Sequence, residues 1–138
     1  MLKWTLDVNI IMVWLGLQSR EQYERAARLF EDFKKKKIEV TAPDFLLVEL
    51  TNILRWRMKR TEAECGKIVS RVAKSGIGFV AWERGKIGKL EKLVFEYDLT
   101  AYDAIYLLTA QDQDCKLITS DPKLLEAKEW CLGLDDLN

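Results

Sequence analysis

The chain has 138 residues and a mass of 16.1 kDa, with 49% hydrophobic and 32% charged residues. That length and balance describe one globular domain, 1–138, rather than a disordered or fibrous chain. Lys plus Arg and Asp plus Glu number 22 each, which excludes a wholly basic nucleic-acid coat, and the lack of histidine excludes Ser-His-Asp triads, Cys-His dyads and His-ligated zinc.

Leu2–Leu6 predicts a first strand, followed by Asp7 and a short apolar segment that turns at Gly16. Ser19 and Gln22 form a capping-box pattern ahead of Tyr23, Ala26, Ala27, Phe30 and Phe33, which recur at helical spacing. Lys34–Lys37 end that helix, and Ile38–Ala42 predicts a second strand. Pro43 suits the first turn of a helix that runs to about Arg60. Thr61 and Glu64 make a further capping box, ahead of Cys65, Ile68, Val69, Val72 and Ala73, and Ser75-Gly76 stops that helix. Ile77–Trp82 predicts a third strand, interrupted by Gly78. Ile87, Leu90, Leu93, Val94 and Tyr97 mark another helix, and Thr100 and Asp103 begin the next. Lys116–Thr119 predicts a strand, Asp121-Pro122 opens a last helix, and Trp130–Leu134 predicts a last strand. This alternation implies an α/β fold, a parallel sheet of four or five strands sandwiched by helices.

Cys65, Cys115 and Cys131 are odd in number and form no C-x-x-C pair, which points to reduced thiols in a cytosolic protein. The longest apolar run, Ile10–Leu17, is too short to span a bilayer. No signal peptide, transit peptide or anchor is read, so the expected location is cytoplasmic with no membrane partner. Charge is unevenly spread. Residues 1–92 carry 19 basic and 12 acidic side chains, and residues 93–138 carry 3 and 10. The basic excess includes Lys34–Lys37 and the cluster Arg55, Arg57, Lys59 and Arg60. These are either solvated helix faces and ends or a phosphate-binding surface beside an acidic pocket.

In an open parallel sheet, ligands bind outside the carboxyl ends of the strands. Asp7 and Asp121 stand at two such ends. Each has a structural explanation as a helix N-cap, and Asp103 has one as the third residue of a capping box begun by Thr100. Capping cannot explain Glu49, which lies within the apolar run from Phe45 to Leu50. It is either on an exposed stripe or aimed into a pocket, where an ionised carboxylate needs compensation. Carboxylates that converge repel one another unless a cation neutralises them. With no histidine and no cysteine cluster, the donors are hard oxygens, which select Mg²⁺ or Mn²⁺ over zinc. Such an ion takes substrate phosphates as further ligands, so an acidic pocket beside basic surface suggests phosphodiester hydrolysis.

Four segments resemble one family. Leu6-Asp7-Val8-Asn9-Ile10-Ile11 resembles the opening strand-to-helix motif of PIN-domain nucleases. Pro43-Asp44-Phe45 through Leu54 is similar to their central Glu helix. Leu99-Thr100-Ala101-Tyr102-Asp103-Ala104 resembles their Tyr-Asp-Ala segment, and Leu117-Ile118-Thr119-Ser120-Asp121 their Leu-Ile-Thr-x-Asp strand end. The segments occur in the family's order and cover the chain nearly end to end. The size is most like that of VapC-type toxins of prokaryotic toxin–antitoxin pairs.

The resemblance implies a three-layer PIN-like fold and a Mg²⁺- or Mn²⁺-dependent endoribonuclease. It implies Asp7, Glu49, Asp103 and Asp121 as the catalytic, metal-binding acids, with Asn9 and Thr119 orienting them. Arg55, Arg57, Lys59 and Arg60 are the candidates for RNA binding, and Lys123 is a candidate partner for a carboxylate or a phosphate. The implied partners are RNA, a second copy of the chain in a homodimer, and a small antitoxin lying across a groove for which Trp14 and Trp56 are candidates. Val8 departs from the pattern, since the family usually has Ser or Thr there. That departure supports the alternative of a non-catalytic PIN-like RNA- or protein-binding domain. A receiver-type signalling domain is the other rival, and Ile77–Trp82 lacks the phosphoacceptor Asp it needs.

Overall fold

Helices cover both faces of the sheet, so residues on both sides of the strands, Thr5, Leu6, Thr41, Ala42, Leu117 and Ile118 among them, are buried. A computed structural model describes residues 1–18 and 20–137. Its sheet has five parallel strands: β1 (Leu2–Leu6), β2 (Ile38–Pro43), β3 (Gly78–Val80), β4 (Lys116–Ile118) and β5 (Cys131–Leu132). Their spatial order is β3-β2-β1-β4-β5. The chain therefore builds outward from β1 to β3, then returns to the other side of β1 for β4. That reversal places a switch point between the carboxyl ends of β1 and β4, where open α/β sheets form their ligand crevice. The register sets Leu6 against Ile118 at that end.

Among the described residues, six α-helices flank the sheet in three layers: α1 (Val8–Trp14), α2 (Tyr23–Lys34), α3 (Phe45–Asn52), α4 (Glu62–Ala73), α5 (Ile87–Tyr97) and α6 (Ala101–Asp112). Helix α6 carries a run of buried residues, Tyr106 to Ala110, because it packs on β1, β2 and β4 and is covered in turn by α5. Leu6, Ile10, Leu46, Leu50, Leu107 and Leu117 are fully buried in the resulting core.

The box at Thr61 and Glu64 forms as expected. The Glu64 amide donates to Thr61 Oγ1 at 3.2 Å, and the Thr61 amide donates to Glu64 Oε1 at 3.1 Å. Thr61→Ala should lower stability by about 1 kcal/mol, read as a lower urea midpoint with an unchanged slope. The box expected at Ser19 and Gln22 lies outside the described residues, which do not include Ser19.

Several expected boundaries are corrected. Pro43 closes β2 instead of opening a helix. Proline cannot donate to the ladder, but it stands on the last rung, where the next amide, that of Asp44, donates to the Val80 carbonyl at 2.9 Å. The helix expected to reach Arg60 is α-helical only to Asn52 and continues as a π-helical turn over Ile53–Arg57, with Met58 N–H donating to Ile53 O at 3.0 Å. The strand expected over Ile77–Trp82 pairs only at Gly78–Val80. No long helix follows Asp121-Pro122. A single 3₁₀ turn, Leu124–Glu126, stands there because the chain must return within a few residues to pair β5 with β4. The strand expected over Trp130–Leu134 shrinks to Cys131–Leu132.

Candidate active site

Asp7 leaves the end of β1 and is almost wholly buried, with 3% of its surface exposed. Its Oδ1 caps α1 by accepting from the Ile10 amide at 3.0 Å. Its Oδ2 accepts from the Thr119 hydroxyl. The structural explanation and the functional one therefore coexist, one on each oxygen. The same Thr119 hydroxyl accepts from the Asp121 amide at 3.0 Å. Thr119 thus ties the first acid to the backbone of the fourth across the switch point. Asp121 does not cap a helix. Its Oδ1 accepts from the Lys123 amide at 2.8 Å in a tight turn.

Thr100 caps α6 by accepting from the Asp103 amide at 3.1 Å. Among the described residues, the Asp103 carboxylate makes no return bond, so capping accounts for its backbone and not for its acid group. Glu49 lies on α3, half-buried, and its Oε1 accepts from the Tyr106 hydroxyl at 2.5 Å. Tyr106 is the residue that sequence reasoning missed. It reads as one more apolar position of α6, and its ring is indeed only 1% exposed. Only the packing of α3 against α6 gives its hydroxyl a partner.

The four carboxylates act on one another. Burial, less the bonds from Thr119 and Ile10, pushes Asp7 up to about 7, and the charges of Asp121 and Glu49 add to the rise. Burial also raises Glu49, with Asp103 contributing, while the Tyr106 hydroxyl opposes the rise. Asp103 is raised by burial and by Asp121. Burial and the neighbouring Glu49 charge hold the Tyr106 hydroxyl protonated, so it serves as a donor. The charges thus couple in pairs, Asp7 with Asp121 and Glu49, and Asp103 with Glu49 and Asp121. Among the described residues, no three carboxylates or thiols stand close enough together to hold a metal ion as they are. The donor set still fits a hard divalent cation, since every donor is an oxygen and the mutual repulsion is what such a charge relieves.

The remaining expected residues are less unified. Asn9 is half-buried on the first turn of α1, and its side chain makes no hydrogen bond among the described residues. Val8 is buried in the core. An open groove of 490 Å³ passes Glu49 and is lined by Phe45, Val48, Arg55, Trp56 and Tyr102 among others. Trp56 is therefore in the groove, but Trp14 is not. Trp14 stacks on Phe30 with centroids 4.1 Å apart, beneath the Arg71 guanidinium. Arg55, Arg57 and Lys59 are exposed, and Arg60 pairs with Glu64 at 3.3 Å. Lys123 turns to Asp98 and Glu126, at 3.4 and 3.5 Å. The three cysteines are free thiols. No helix among the described residues is long and apolar enough to cross a membrane.

Residues 5–129 match the profile of the PIN domain. The chain belongs to the PIN domain family, whose members are generally nucleases that use divalent metals. Solved structures of similar fold include VapBC2 from Rickettsia felis bound to a DNA fragment from their promoter. It is 13% identical with a TM-score of 0.68, and the match covers 96% of this chain and 98% of that one. A toxin–antitoxin complex from Klebsiella pneumoniae is 20% identical with a TM-score of 0.65, covering 94% and 96%. FitAcB from Neisseria gonorrhoeae is 14% identical with a TM-score of 0.64, covering 97% and 99%. No curated protein matches the chain.

Proposed function

We propose that the protein is a Mg²⁺- or Mn²⁺-dependent endoribonuclease of the VapC toxin type, acting in the cytoplasm as a homodimer and blocked by a small antitoxin. What supports this reading most is that acids from four distant segments repel one another in pairs near the switch point: Asp7 with Asp121 and Glu49, and Asp103 with Glu49 and Asp121. These four acids would hold the ion or ions. A divalent ion bound there supplies positive charge to the phosphoryl oxygens and eases loss of a proton from water.

The chain's own groups do the rest. Thr119 orients Asp7 and Tyr106 orients Glu49, each by one hydrogen bond to a carboxylate oxygen. Glu49, raised by burial, orients the attacking water and takes its proton. The water oxygen bonds to phosphorus as the bond to the 3′ oxygen breaks, and that oxygen leaves with a proton taken from solvent water. The products carry 5′-phosphate and 3′-hydroxyl ends. Arg55, Arg57, Lys59 and Arg60, beyond Glu49 in sequence, draw in the RNA backbone.

Purified protein should cleave RNA in Mg²⁺ or Mn²⁺, and EDTA should stop it. Asp103→Asn should abolish the cleavage while leaving the melting temperature nearly unchanged, because Thr100 caps the backbone amide and not the acid. Cleavage that persists in EDTA and in Asp103→Asn would refute the assignment. The buried Val8, with no hydroxyl to offer the site, favours a second reading as a non-catalytic RNA- or protein-binding PIN domain. Mn²⁺ that changes neither cleavage nor melting temperature would support that reading.

A further inference from the structure

The lysine run Lys34–Lys37 has no part in the acidic group. It closes α2 and leads into the amino end of β2, whereas Asp7 and Asp121 follow the carboxyl ends of β1 and β4. Along β1, Lys3 and Asp7 are separated by about 13 Å of extended chain. A cavity of 680 Å³ lies at this far end, lined by Lys3, Lys34, Lys36, Ser75 and Gln113 among others. A second, of 630 Å³, is lined by Lys116 among others. Lys3 and Gln113 line both, so the two cavities form one trench. It crosses the amino ends of β2, β1 and β4, and the usual strand spacing puts about 10 Å between the outer two.

The trench is basic. Lys3, Lys34, Lys36 and Lys116 line it against two acids, Glu39 and Asp114. None of these four lysines makes an ion pair among the described residues. Lys36 also stands where a lysine is strained. Its φ is 59°, in the left-handed region that glycine adopts freely. Its amide donates to Phe33 O at 3.0 Å, and that of Lys37 donates to Asp32 O at 2.9 Å. These bonds close a helix end at which glycine is the usual residue, and here the chain carries a cation instead.

We propose that this trench is a second phosphate-binding surface, which holds the backbone of an RNA at the end of the sheet opposite the acids. The proposal rests on the nuclease reading for the identity of the polyanion, and on the trench itself for the surface. Two joined cavities extend past the reach of one phosphate group, so they suit a repeating charge. The lining cations are all lysines, point charges that hold phosphates without fixing a register. Lysine is depleted at protein–protein interfaces, so the same lining is a poor match for a protein partner. Backbone contacts of this kind add affinity without reading sequence.

The test measures binding of labelled poly(U) against salt concentration, in EDTA so that no cleavage intervenes. Lys36→Gly should lower the slope of log affinity against log salt by about 0.7. The triple variant Lys3→Gln, Lys34→Gln, Lys36→Gly should lower it by about 2 and weaken binding about tenfold at about 0.1 M salt. Lys92→Gln removes one exposed charge from α5, outside the trench, and should change neither. Lys36→Gly should melt no lower than the wild type, because glycine relieves the left-handed backbone, so its loss of binding is not a loss of fold. Bound poly(U) should also shield Lys34 and Lys36 from acetylation, read by mass spectrometry, and leave Lys92 open. A triple variant with the wild-type slope would overturn the proposal, as would a Lys92→Gln effect equal to that of Lys36→Gly. Polyglutamate that displaces the label as well as unlabelled poly(U) does would assign the trench to an acidic protein segment and overturn it too. Lysine-dependent binding in EDTA without RNA cleavage in Mg²⁺ or Mn²⁺ would sink the nuclease reading and leave the surface standing. Cleavage that needs Asp103, beside wild-type binding by the triple variant, would do the reverse.

Discussion

Asp7→Asn should eliminate cleavage and, in metal-free buffer above pH 7, make the protein more stable than the wild type. The stability gain follows from where Asp7 sits. Its carboxyl is buried, and its ordinary value of 3.8 is lifted to about 7, first by desolvation and then by the charges of Asp121 and Glu49. Between about pH 4 and pH 7 the folded chain keeps a proton on Asp7 that the unfolded chain releases. Stability from this group is therefore complete below about pH 4, declines as pH rises, and is lost once pH passes about 7. The displacement corresponds to at most about 4 kcal/mol. Relaxation and water entry reduce such penalties, so about 2 kcal/mol is the working figure, or roughly 6–8 °C in melting temperature. Asparagine keeps the cap, because its carbonyl oxygen can still accept from the Ile10 amide. It carries no charge to bury, and it removes an anionic oxygen donor from the acidic group. Melting temperature against pH in EDTA is the measurement. The wild-type curve should fall between pH 4 and 7 more steeply than the Asp7→Asn curve. Mn²⁺ should raise the wild-type curve most above pH 7, where the acid is ionised, and should raise the variant far less. Parallel curves for the two proteins would mean that Asp7 is not the strained group described here.

That strain also explains which parts of the molecule were legible in the residues alone. Leu2–Leu6 and the helix from Ile87 to Tyr97 have periodicities that only one structure satisfies, and both stand as expected. The failures lie where tertiary geometry overrides a local signal. Asp121-Pro122 carries a sound helix-start pattern, but the short return to β5 leaves room for one 3₁₀ turn. Pro43 carries another, but the β2–β3 ladder ends with it. The π-helical turn over Ile53–Arg57 inserts an extra residue per turn and carries Trp56 into the groove, and no propensity rule foretells such a turn. Of the candidate acids, Glu49 was readable because its charge conflicts with the apolar run around it. Asp7, Asp103 and Asp121 each had a capping explanation. The structure assigns capping to one oxygen of Asp7, to the Thr100 side of the Asp103 pair and to a turn at Asp121, leaving acidic oxygens over in each case. Tyr106 gave no signal. An aromatic in a buried helix looks like packing until the opposing helix shows what its hydroxyl meets.

Tyr106→Phe therefore isolates what that hydroxyl does. Phenylalanine fills the same buried space, so the core loses no volume, and the lost hydrogen bond costs about 1 kcal/mol. Glu49 is half-buried and can turn toward water, which limits any further penalty. The effect on the site should be larger than the effect on the fold. A carboxylate freed from its orienting partner should bind Mn²⁺ about 10- to 100-fold more weakly, with cleavage at limiting metal reduced in proportion. The pH dependence should shift in a defined direction. The Tyr106 hydroxyl opposes the rise that burial imposes on Glu49. Without it Glu49 stays protonated to higher pH, so the acid limb of the pH–rate profile should move upward. In a Glu49→Gln background the same change should cost little more, because the pair acts as a unit. A purely packing role for Tyr106 makes the opposite set of results: a lowered melting temperature, unchanged Mn²⁺ affinity and an unmoved acid limb. The contrast between these outcomes separates a side chain that merely fills the core from one that, through a single hydroxyl, holds the apolar helix's one acid in the orientation the site requires.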